Sequence, residues 1–273
     1  MEKMKNVDFV FVLLTYINST DLIDFFGSVE KQTINAAFIV VDAFHDTASS
    51  KKIQLIADEF GANYIQIPNN GYSYGNNVGI RYAKEHFDFK YLIVSNPDVI
   101  ITKLSLKELQ GMDNNVVGPK IINMRNQAQN PMYIKENLMV QKMVYYGLKN
   151  NNKIQFYLGI AINKLLKNIF LLKNRNKESL VYQLHGSFVI FGRKVLDKLE
   201  NVYDEEMFLF AEESYLALRL KNAGIISIYN PNIVVQHKED GSMRFRDDIS
   251  EQLRGANIYV YEKYYGFKTL NKK

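Results

Sequence analysis

The chain contains the nonapeptide Tyr91-Leu-Ile-Val-Ser-Asn-Pro-Asp-Val99, an apolar run that ends at a carboxylate. A short apolar run with β-branched residues predicts a strand buried on both faces, and Pro97 cannot continue a hydrogen-bonded ladder. Asp98 is therefore predicted to lie at the carboxyl end of a strand. Ligands of open α/β sheets bind outside these ends, where a carboxylate can hold a hard metal ion and, through it, nucleotide phosphates. The alternative is an ordinary turn, since Asn, Pro and Asp all favour turns.

Apolar runs and helical patterns alternate on both sides of this stretch. Strands are predicted over residues 7–16, 37–42, 64–68, 116–122, 181–191, 225–229 and 233–237, and helices over 21–32, 51–60, 80–86, a short segment from 105, 208–220 and 250–265. This alternation predicts βαβ units and hence a mostly parallel, doubly wound α/β sheet. The segment 69–79, rich in glycine and asparagine, and the polar segment 240–244 are predicted loops. Segment 69–79 matches neither the P-loop nor the dinucleotide-binding pattern.

Three of the first four predicted strands end in polar side chains that could bind a ligand. They are Thr15 and Tyr16 at the end of the first strand, Asp42 at the end of the second, and Asn96 and Asp98 at the end of the fourth, which begins at Tyr91. The carboxyl ends of parallel strands share one edge of a sheet, so these side chains are expected to lie close together. The sequence thus predicts a nucleotide site at this edge.

Further candidate groups lie in the second half of the chain. Gly186 interrupts a predicted strand, which often marks the close approach of a ligand or of another backbone. Glu212 and Glu213 stand at the head of a predicted helix, where they either complement the helix dipole or supply a general base for an acceptor hydroxyl. His237 ends the last predicted strand and is either structural or an imidazole ligand of a divalent ion.

The amino-acid composition indicates what kind of protein this is and excludes some kinds of site. The 273 residues are 47% hydrophobic and 23% charged, which is typical of a soluble protein with one large domain. Because the chain has no cysteine, disulfides and thiolate metal sites are excluded, and any metal must be bound by oxygen or imidazole. Residues 1–8 have no apolar signal core, so export is not expected. No run reaches the roughly 18 apolar residues of a membrane-spanning helix.

Residues 137–177 differ from the rest of the chain because they contain eight Lys or Arg residues and no Asp or Glu. Apolar residues lie between the charges, so the segment is predicted to be a basic amphipathic helical insertion. Such a segment can lie on an anionic membrane surface or contact an acceptor. Alternatively it packs on the main domain or on a second subunit, in a homodimer. The sequence shows no nucleic-acid-binding module, so nucleic acid is not an expected partner.

The order and spacing of these motifs resemble family 2 glycosyltransferases, in particular the rhamnosyltransferase-like members of bacterial polysaccharide biosynthesis. The matching motifs are Thr15-Tyr16, Val41-Asp42, Asn70-Gly71-Tyr72, Gly75-Asn-Asn-Val-Gly79, Asn96-Pro-Asp98, His185-Gly-Ser187, Glu212-Glu213 with Leu216 and Arg219, and His237. The resemblance covers roughly residues 7–240 and implies a GT-A fold. It further implies a nucleotide-sugar-binding half over 1–124, the insertion over 125–180, and an acceptor and catalytic half with a C-terminal helix over 181–273.

The resemblance implies roles for the donor-binding residues. Thr15, Tyr16 and Asp42 would hold the nucleoside, and Gly71 and Asn77 would line the same pocket.

The resemblance also implies a metal site and a place for the donor sugar. Asn96-Pro-Asp98 stands where the family has Asp-x-Asp, with Asn96 in place of the first Asp. Asp98 and His237 would bind Mn²⁺ or Mg²⁺ bridging the diphosphate, and Gly186 would let the backbone approach the donor sugar.

The resemblance implies a single displacement with inversion, in which Glu213 is the general base and Glu212 its acidic neighbour. Many members have a further Asp two residues after the base, and this chain has Tyr215 there. The choice between Glu212 and Glu213 therefore stays open at this point.

The function implied by the resemblance is a metal-dependent hexosyltransferase at the cytoplasmic face of the cell membrane. Its donor would be dTDP-rhamnose or a UDP-hexose, and its acceptor a lipid-linked glycan of cell-surface polysaccharide synthesis. One alternative is a nucleotidyltransferase acting on a sugar phosphate, since that class also has strand-end carboxylates on an α/β sheet. Another is a catalytically degenerate member that binds a glycan or a partner enzyme.

Overall fold

The structure is a computed structural model that describes residues 4–239 and 249–268. Its strands are β1 Lys5–Thr15, β2 Ala36–Phe44, β3 Asn63–Pro68, β4 Phe87–Ser95, β5 Val99–Lys103, β6 Asn115–Asn123, β7 Ser179–Val181, β8 Phe188–Gly192 and β9 Ile226–His237. Its helices are α1 Thr20–Val29, α2 Thr47–Glu59, α3 Tyr72–His86, α4 Leu138–Lys149, α5 Lys153–Lys173, α6 Arg193–Lys198, α7 Glu212–Asn222 and α8 Ile249–Lys263, with a short 3-10 helix over Leu106–Leu109.

In the described residues the strands form one nine-stranded sheet with the order β3-β2-β1-β4-β8-β6-β9-β5, and β7 also pairs with β9. The strands β1, β2, β3 and β4 are parallel, whereas β8, β5 and β7 run opposite to all the others. The chain reverses its direction of travel between β1 and β4, which opens a crevice at the carboxyl ends of these strands. The prediction of a mostly parallel α/β sheet is confirmed.

Two hydrophobic cores cover the two faces of the sheet. Successive strand residues point to opposite faces, so Val10 and Val12 of β1 enter one core and Phe9, Phe11 and Leu13 the other. Helices α1 and α2 pack on the face of the phenylalanines, and α3, α6 and α7 pack on the opposite face. Helices therefore lie on both faces, as the resemblance implied.

Helix α3 begins at Tyr72, so the prediction of a loop over 69–79 is wrong for most of that segment. Its glycines lie against the sheet: a Cβ on Gly75 would lie 2.4 Å from Leu14 Cδ1, and one on Gly79 would lie 2.3 Å from Val12 Cγ1. The glycines thus allow α3 to approach β1 closely, and this packing outweighs their low helix propensity.

Other predicted boundaries also differ from the structure. The segment 181–191 forms the separate strands β7 and β8, while 225–229 and 233–237 are parts of one continuous strand, β9. Helix α2 starts four residues earlier than predicted because the Asp46 carboxylate accepts hydrogen bonds from Ala48 N (2.8 Å) and Ser49 N (2.9 Å). The loop predicted over 240–244 lies outside the described residues.

The basic segment folds as the helix pair α4 and α5. Helix α4 contacts the C-terminal helix α8, where the Tyr145 hydroxyl donates to Glu262 Oε1 at 2.8 Å. In contrast, Gly159 is the only residue of α5 that is fully buried. Among the described residues, no helix combines the length and the apolarity needed to cross a bilayer.

Candidate functional site

A cavity of about 980 Å³ opens at the carboxyl ends of the parallel strands, beside the crevice between β1 and β4. The structure brings most of the predicted site residues to its wall. They are Thr15, Tyr16, Gly71, Asn96, Asp98, Gly186, Glu212, Glu213 and His237. Residues far apart in sequence therefore share one cavity of the size that small-molecule sites have.

Asp98 and His237 face each other on one side of the cavity. Strand β4 ends at Ser95, so Asp98 lies in the turn before β5, and the antiparallel pairing of Val99 with His237 brings the two side chains together. Asp98 Oδ1 lies 3.3 Å from His237 Nε2. The other ring nitrogen, Nδ1, lies 2.9 Å from Gln129 Oε1. This second contact orients the imidazole toward the carboxylate.

The donor set fits a divalent cation that also binds substrate phosphate. One carboxylate and one imidazole are oxygen and nitrogen ligands acceptable to Mn²⁺ or Mg²⁺, and such ions commonly take only one or two protein ligands beside phosphates and water. In the described residues no three His, Asp or Glu side chains converge to hold a metal. A cation here would thus complete its coordination with the bound substrate.

Glu212 and Glu213 form the first turn of α7 on another part of the cavity wall. The preceding residues Phe210 and Ala211 have φ angles of +74° and +65°, a left-handed conformation that is uncommon for residues other than glycine. Such a sharp entry aims the first turn of the helix at the cavity. Gly186 N donates a hydrogen bond of 3.3 Å to Glu213 Oε1.

Burial controls the ionisation of both glutamates. It raises the pKa of Glu213, and together with the neighbouring Glu213 charge it raises the pKa of Glu212 to about 8. Two adjacent buried carboxylates repel each other when both are charged, so one of them keeps its proton when the other is ionised. The hydrogen bond from Gly186 N favours the charged form of Glu213. Glu213 is therefore the carboxyl of the pair that ionises first, and Glu212 holds its proton to higher pH.

Gly186 lies close to both the acid pair and the start of α3. A Cβ on Gly186 would lie 2.9 Å from Glu213 Oε1, and the Tyr72 hydroxyl donates to Gly186 O at 3.1 Å. The wall at this point consists of backbone, although Gly186 lies between β7 and β8 and not inside a strand as the sequence pattern predicted.

Thr15 and Tyr16 line the cavity at the end of β1. Thr15 Oγ1 donates to Val41 O at 3.3 Å, which fixes the end of β1 against β2. The Tyr16 hydroxyl lies 3.1 Å from His45 Nδ1, and the two rings meet edge to face with centroids 5.3 Å apart. An aromatic corner of this kind can contact a planar base.

Asp42 and Asn77 are not among the residues that line the cavity. Asp42 is buried, and its Oδ2 accepts a hydrogen bond of 2.7 Å from the Tyr64 hydroxyl, whose pKa burial and this contact raise to about 12. Asn77 exchanges two hydrogen bonds with the backbone of Tyr203, Nδ2 to O at 2.8 Å and N to Oδ1 at 3.1 Å. Both side chains thus support the cavity wall from behind, a different position from the one the resemblance implied.

Sequence reasoning missed several residues of the cavity. His45 lies on the turn after β2, three positions beyond the Asp42 that the sequence singled out. Gln129 and Glu239 also line the cavity, and Gln129 Nε2 donates to Glu239 Oε1 at 2.6 Å. Gln129 sits in an irregular segment with no periodic pattern, so nothing local in the sequence marks it.

The fold is the GT-A-like fold of glycosyltransferases with known structures. The chain superposes on GalNAc-T7 in a structure with UDP, GalNAc and Mn²⁺, with a TM-score of 0.60 and 13% identity over 89% of this chain and 45% of that one. It superposes on S. aureus TarS with a TM-score of 0.54 and 13% identity, over 93% of this chain and 40% of that one. It also superposes on the mannosyltransferase PcManGT from Pyrobaculum calidifontis, in a complex with GDP-Man and Mn²⁺. The TM-score is 0.56 and the sequence identity is 11%, over 94% of this chain and 70% of that one.

A curated relative adds a similarity in sequence. Over 121 residues the chain is 29% identical to the low-salt glycan biosynthesis hexosyltransferase Agl10 of Haloferax volcanii. The match covers 42% of this chain and 37% of that protein, so the similarity spans well under half of the relative. No family model matches the chain.

Proposed function

We propose that the chain is an inverting, metal-dependent glycosyltransferase that moves a sugar from a nucleoside diphosphate to a hydroxyl of a glycan. The observation that carries this proposal is one cavity at the carboxyl ends of the strands, walled by the Asp98–His237 pair and by the buried Glu212–Glu213 pair. The first pair has the ligands for a diphosphate-bound cation, and the second supplies a base. The fold shared with glycosyltransferases supports the same reaction class.

In this proposal Glu213 removes the proton of the acceptor hydroxyl. The hydroxyl oxygen bonds to the anomeric carbon while the bond from that carbon to the phosphate oxygen breaks, and the electron pair leaves with the nucleoside diphosphate. One displacement inverts the anomeric carbon without a covalent intermediate. Glu213 suits this role because its raised pKa makes its carboxylate a stronger base near neutral pH. Glu212, which keeps its proton, is the less suitable base.

Asp98 and His237 would hold Mn²⁺ or Mg²⁺ against the diphosphate of the donor. When bound, the cation supplies Lewis-acid stabilisation of the charge that develops on the leaving group. Gln129 fixes the His237 ring through its Nδ1, so the nitrogen at 3.3 Å from Asp98 remains available as a ligand. Thr15, Tyr16 and Gly71 border the space for the nucleoside, with dTDP-rhamnose or a UDP-hexose as the donor.

The acceptor we propose is a lipid-linked glycan of cell-surface polysaccharide synthesis. The similarity to a glycan biosynthesis hexosyltransferase supports a glycan acceptor. In this proposal the reaction takes place at the cytoplasmic face of the membrane that carries the acceptor lipid.

The test begins with calorimetric titration of UDP, dTDP, GDP and CMP into the protein, each with and without Mn²⁺. We expect one nucleoside diphosphate to bind in a Mn²⁺-dependent manner. We expect Asp98→Ala to abolish this Mn²⁺-dependent binding. The corresponding nucleotide sugars are then assayed for transfer by release of the nucleoside diphosphate. Release of pyrophosphate would indicate a nucleotidyltransferase, and binding of no nucleotide would contradict the proposal.

Glu213→Gln tests the base. We expect it to retain nucleotide binding and to lose transfer by about two orders of magnitude or more, the usual cost of losing a general base. Glu85→Gln is the matched control, because Glu85 is exposed on α3 and should leave the rate unchanged. Normal turnover by Glu213→Gln would exclude Glu213 as the base, and the same loss in Glu212→Gln alone would assign the role to Glu212.

A further inference from the structure

Helix α5 exposes an apolar stripe along its whole length. Ile154, Leu165 and Leu172 are 83%, 61% and 82% exposed, and with Leu158 and Ile169 they recur at the spacing of one helix face. At 1.5 Å per residue, a helix of 21 residues is about 30 Å long. A contiguous apolar surface of this length exceeds what scattered surface leucines produce, and it marks an interaction site.

The opposite side of α5 is fixed to the protein. Asn163 Nδ2 donates to Met132 O at 2.9 Å, and Lys167 Nζ donates to Ala128 O at 3.0 Å. The Phe170 ring packs against Tyr229 of β9 with centroids 6.2 Å apart. These contacts determine which face is turned outward, so the exposed stripe is a defined surface of the fold.

Positive charges border the stripe on both sides. On a helical projection at 100° per residue, Lys153 and Lys164 lie along one edge and Lys173 along the other, and all three are exposed. Arg175 and Lys177 continue the charge beyond the helix end. No Asp or Glu occurs between residues 137 and 177 to neutralise them.

We propose that this face of α5 docks on an anionic lipid bilayer, with the stripe in the interface and the lysines at the head groups. An apolar centre with basic edges on a helix that cannot span the membrane is the arrangement of an interfacial helix. A second copy fits less well, since a symmetric α5–α5 contact would bring lysine edges together with no acid in either helix to pair them.

The docking helix is connected to the candidate site. Lys167 Nζ contacts the carbonyl oxygens of Ala128 and Gln129 at 3.0 and 3.4 Å, and the Gln129 side chain contacts His237. The bilayer and the cavity are therefore held in a fixed relation by one short segment. A fixed position of the cavity relative to the bilayer serves the reaction only if the acceptor is lipid-linked, so this part of the inference rests on the proposed function. The docking of α5 on the bilayer does not depend on the proposed function.

The test is sedimentation of the full chain with vesicles of neutral lipid alone or of neutral lipid with one third phosphatidylglycerol. We expect binding to the anionic vesicles that weakens at high salt. Leu165→Gln with Leu172→Gln, and separately Lys164→Glu with Lys173→Glu, should each lower the affinity by about tenfold or more. These side chains are exposed, so folding should be unaffected.

Helix α2 provides matched controls. Leu55 is 59% exposed and Lys51 and Lys52 are exposed, so Leu55→Gln and Lys51→Glu with Lys52→Glu repeat the chemistry elsewhere on the surface. We expect both to bind vesicles like the unaltered chain. The inference is overturned if the α5 variants bind anionic vesicles as strongly as the unaltered chain does, or if the unaltered chain does not bind these vesicles. It is equally overturned if sedimentation velocity shows a dimer that the α5 variants dissociate.

Nucleotide titration distinguishes this inference from the proposed function. The α5 variants should bind nucleotide with Mn²⁺ as the unaltered chain does, because α5 lines no part of the cavity. Vesicle binding without any nucleotide binding would leave the docking intact and refute the proposed function. Nucleotide binding without vesicle binding would refute the docking and leave the proposed function intact.

Discussion

Replacing Gly71 by alanine should uncouple the start of α3 from the segment that leads to Glu212. Gly71 has φ of +94° and ψ of 179°, a region of the backbone map that only glycine enters readily. A Cβ there would lie 2.2 Å from Phe208 O and 2.5 Å from Phe208 Cα. These are backbone atoms, so the new methyl group cannot be accommodated by a change of rotamer.

The size of the effect follows from two contributions. Forcing alanine into this conformation costs about 1–3 kcal/mol. Moving Phe208 away breaks the hydrogen bond from Tyr72 N to Phe208 O, which measures 2.6 Å and is worth about 1 kcal/mol. Gly71→Ala should thus lower the free energy of unfolding by about 3 kcal/mol. It should also reduce transfer, since the displaced segment precedes the acid pair.

Gly61→Ala is the matched control. Gly61 also has a positive φ, +64°, but a Cβ there would meet nothing within 4 Å. Its cost should be only the conformational one of about 1–2 kcal/mol, with no change in transfer. Urea denaturation measures both free energies by linear extrapolation. Equal losses of stability in the two variants, or full transfer by Gly71→Ala, would refute the close approach described here.

Two further predictions concern the acid pair and the C-terminal helix. Burial and the Glu213 charge raise the pKa of Glu212 from 4.5 to about 8 in the native state. The native state therefore loses stability progressively as the pH rises from 4.5 to about 8, because the unfolded chain releases this proton more readily. Glu212→Gln should raise the melting temperature by several degrees at pH 8.5 and by little at pH 5. A variant that melts like the unaltered chain at both pH values would contradict this. The hydroxyl of Tyr264 donates to Asp204, whose Oδ2 also accepts from Tyr259 at 3.0 Å, so Tyr264→Phe should cost about 1–2 kcal/mol in urea denaturation. It should also lower kcat more than nucleotide affinity, because Asp204 belongs to the segment that precedes α7; an unchanged kcat would exclude that positioning role.

The parallel half of the sheet could be predicted from sequence because its strands are buried on both faces. Such strands appear as continuous apolar runs, and the polar residues that end them, Thr15 and Asp98, identify the edge where the cavity opens. The acid pair was equally visible, since two adjacent glutamates before an apolar helix stand out from the surrounding pattern. Residues at strand ends and helix starts thus carry a local signal.

The parts that could not be predicted depend on tertiary packing. Gly75 and Gly79 indicate a loop by propensity, and only the proximity of β1 shows that they belong inside a helix. Gln129 reaches His237 from an irregular segment, through a contact between residues distant in sequence. Asp42 ends a strand just as Asp98 does, yet the Tyr64 hydroxyl holds its carboxylate behind the cavity wall. No pattern within a single element distinguishes these two aspartates.

The position of β9 has a consequence for the biosynthesis of this protein. Strand β5, which directly follows Asp98, pairs with β9 and with no other strand in the described part of the sheet, and β9 is the last of those strands to be made. Until β9 has emerged from the ribosome, β5 lacks its partner strand and Asp98 lacks the histidine opposite it. The side of the cavity that Asp98 and His237 form is therefore assembled last, and a nascent chain that has folded only its parallel half does not yet have it.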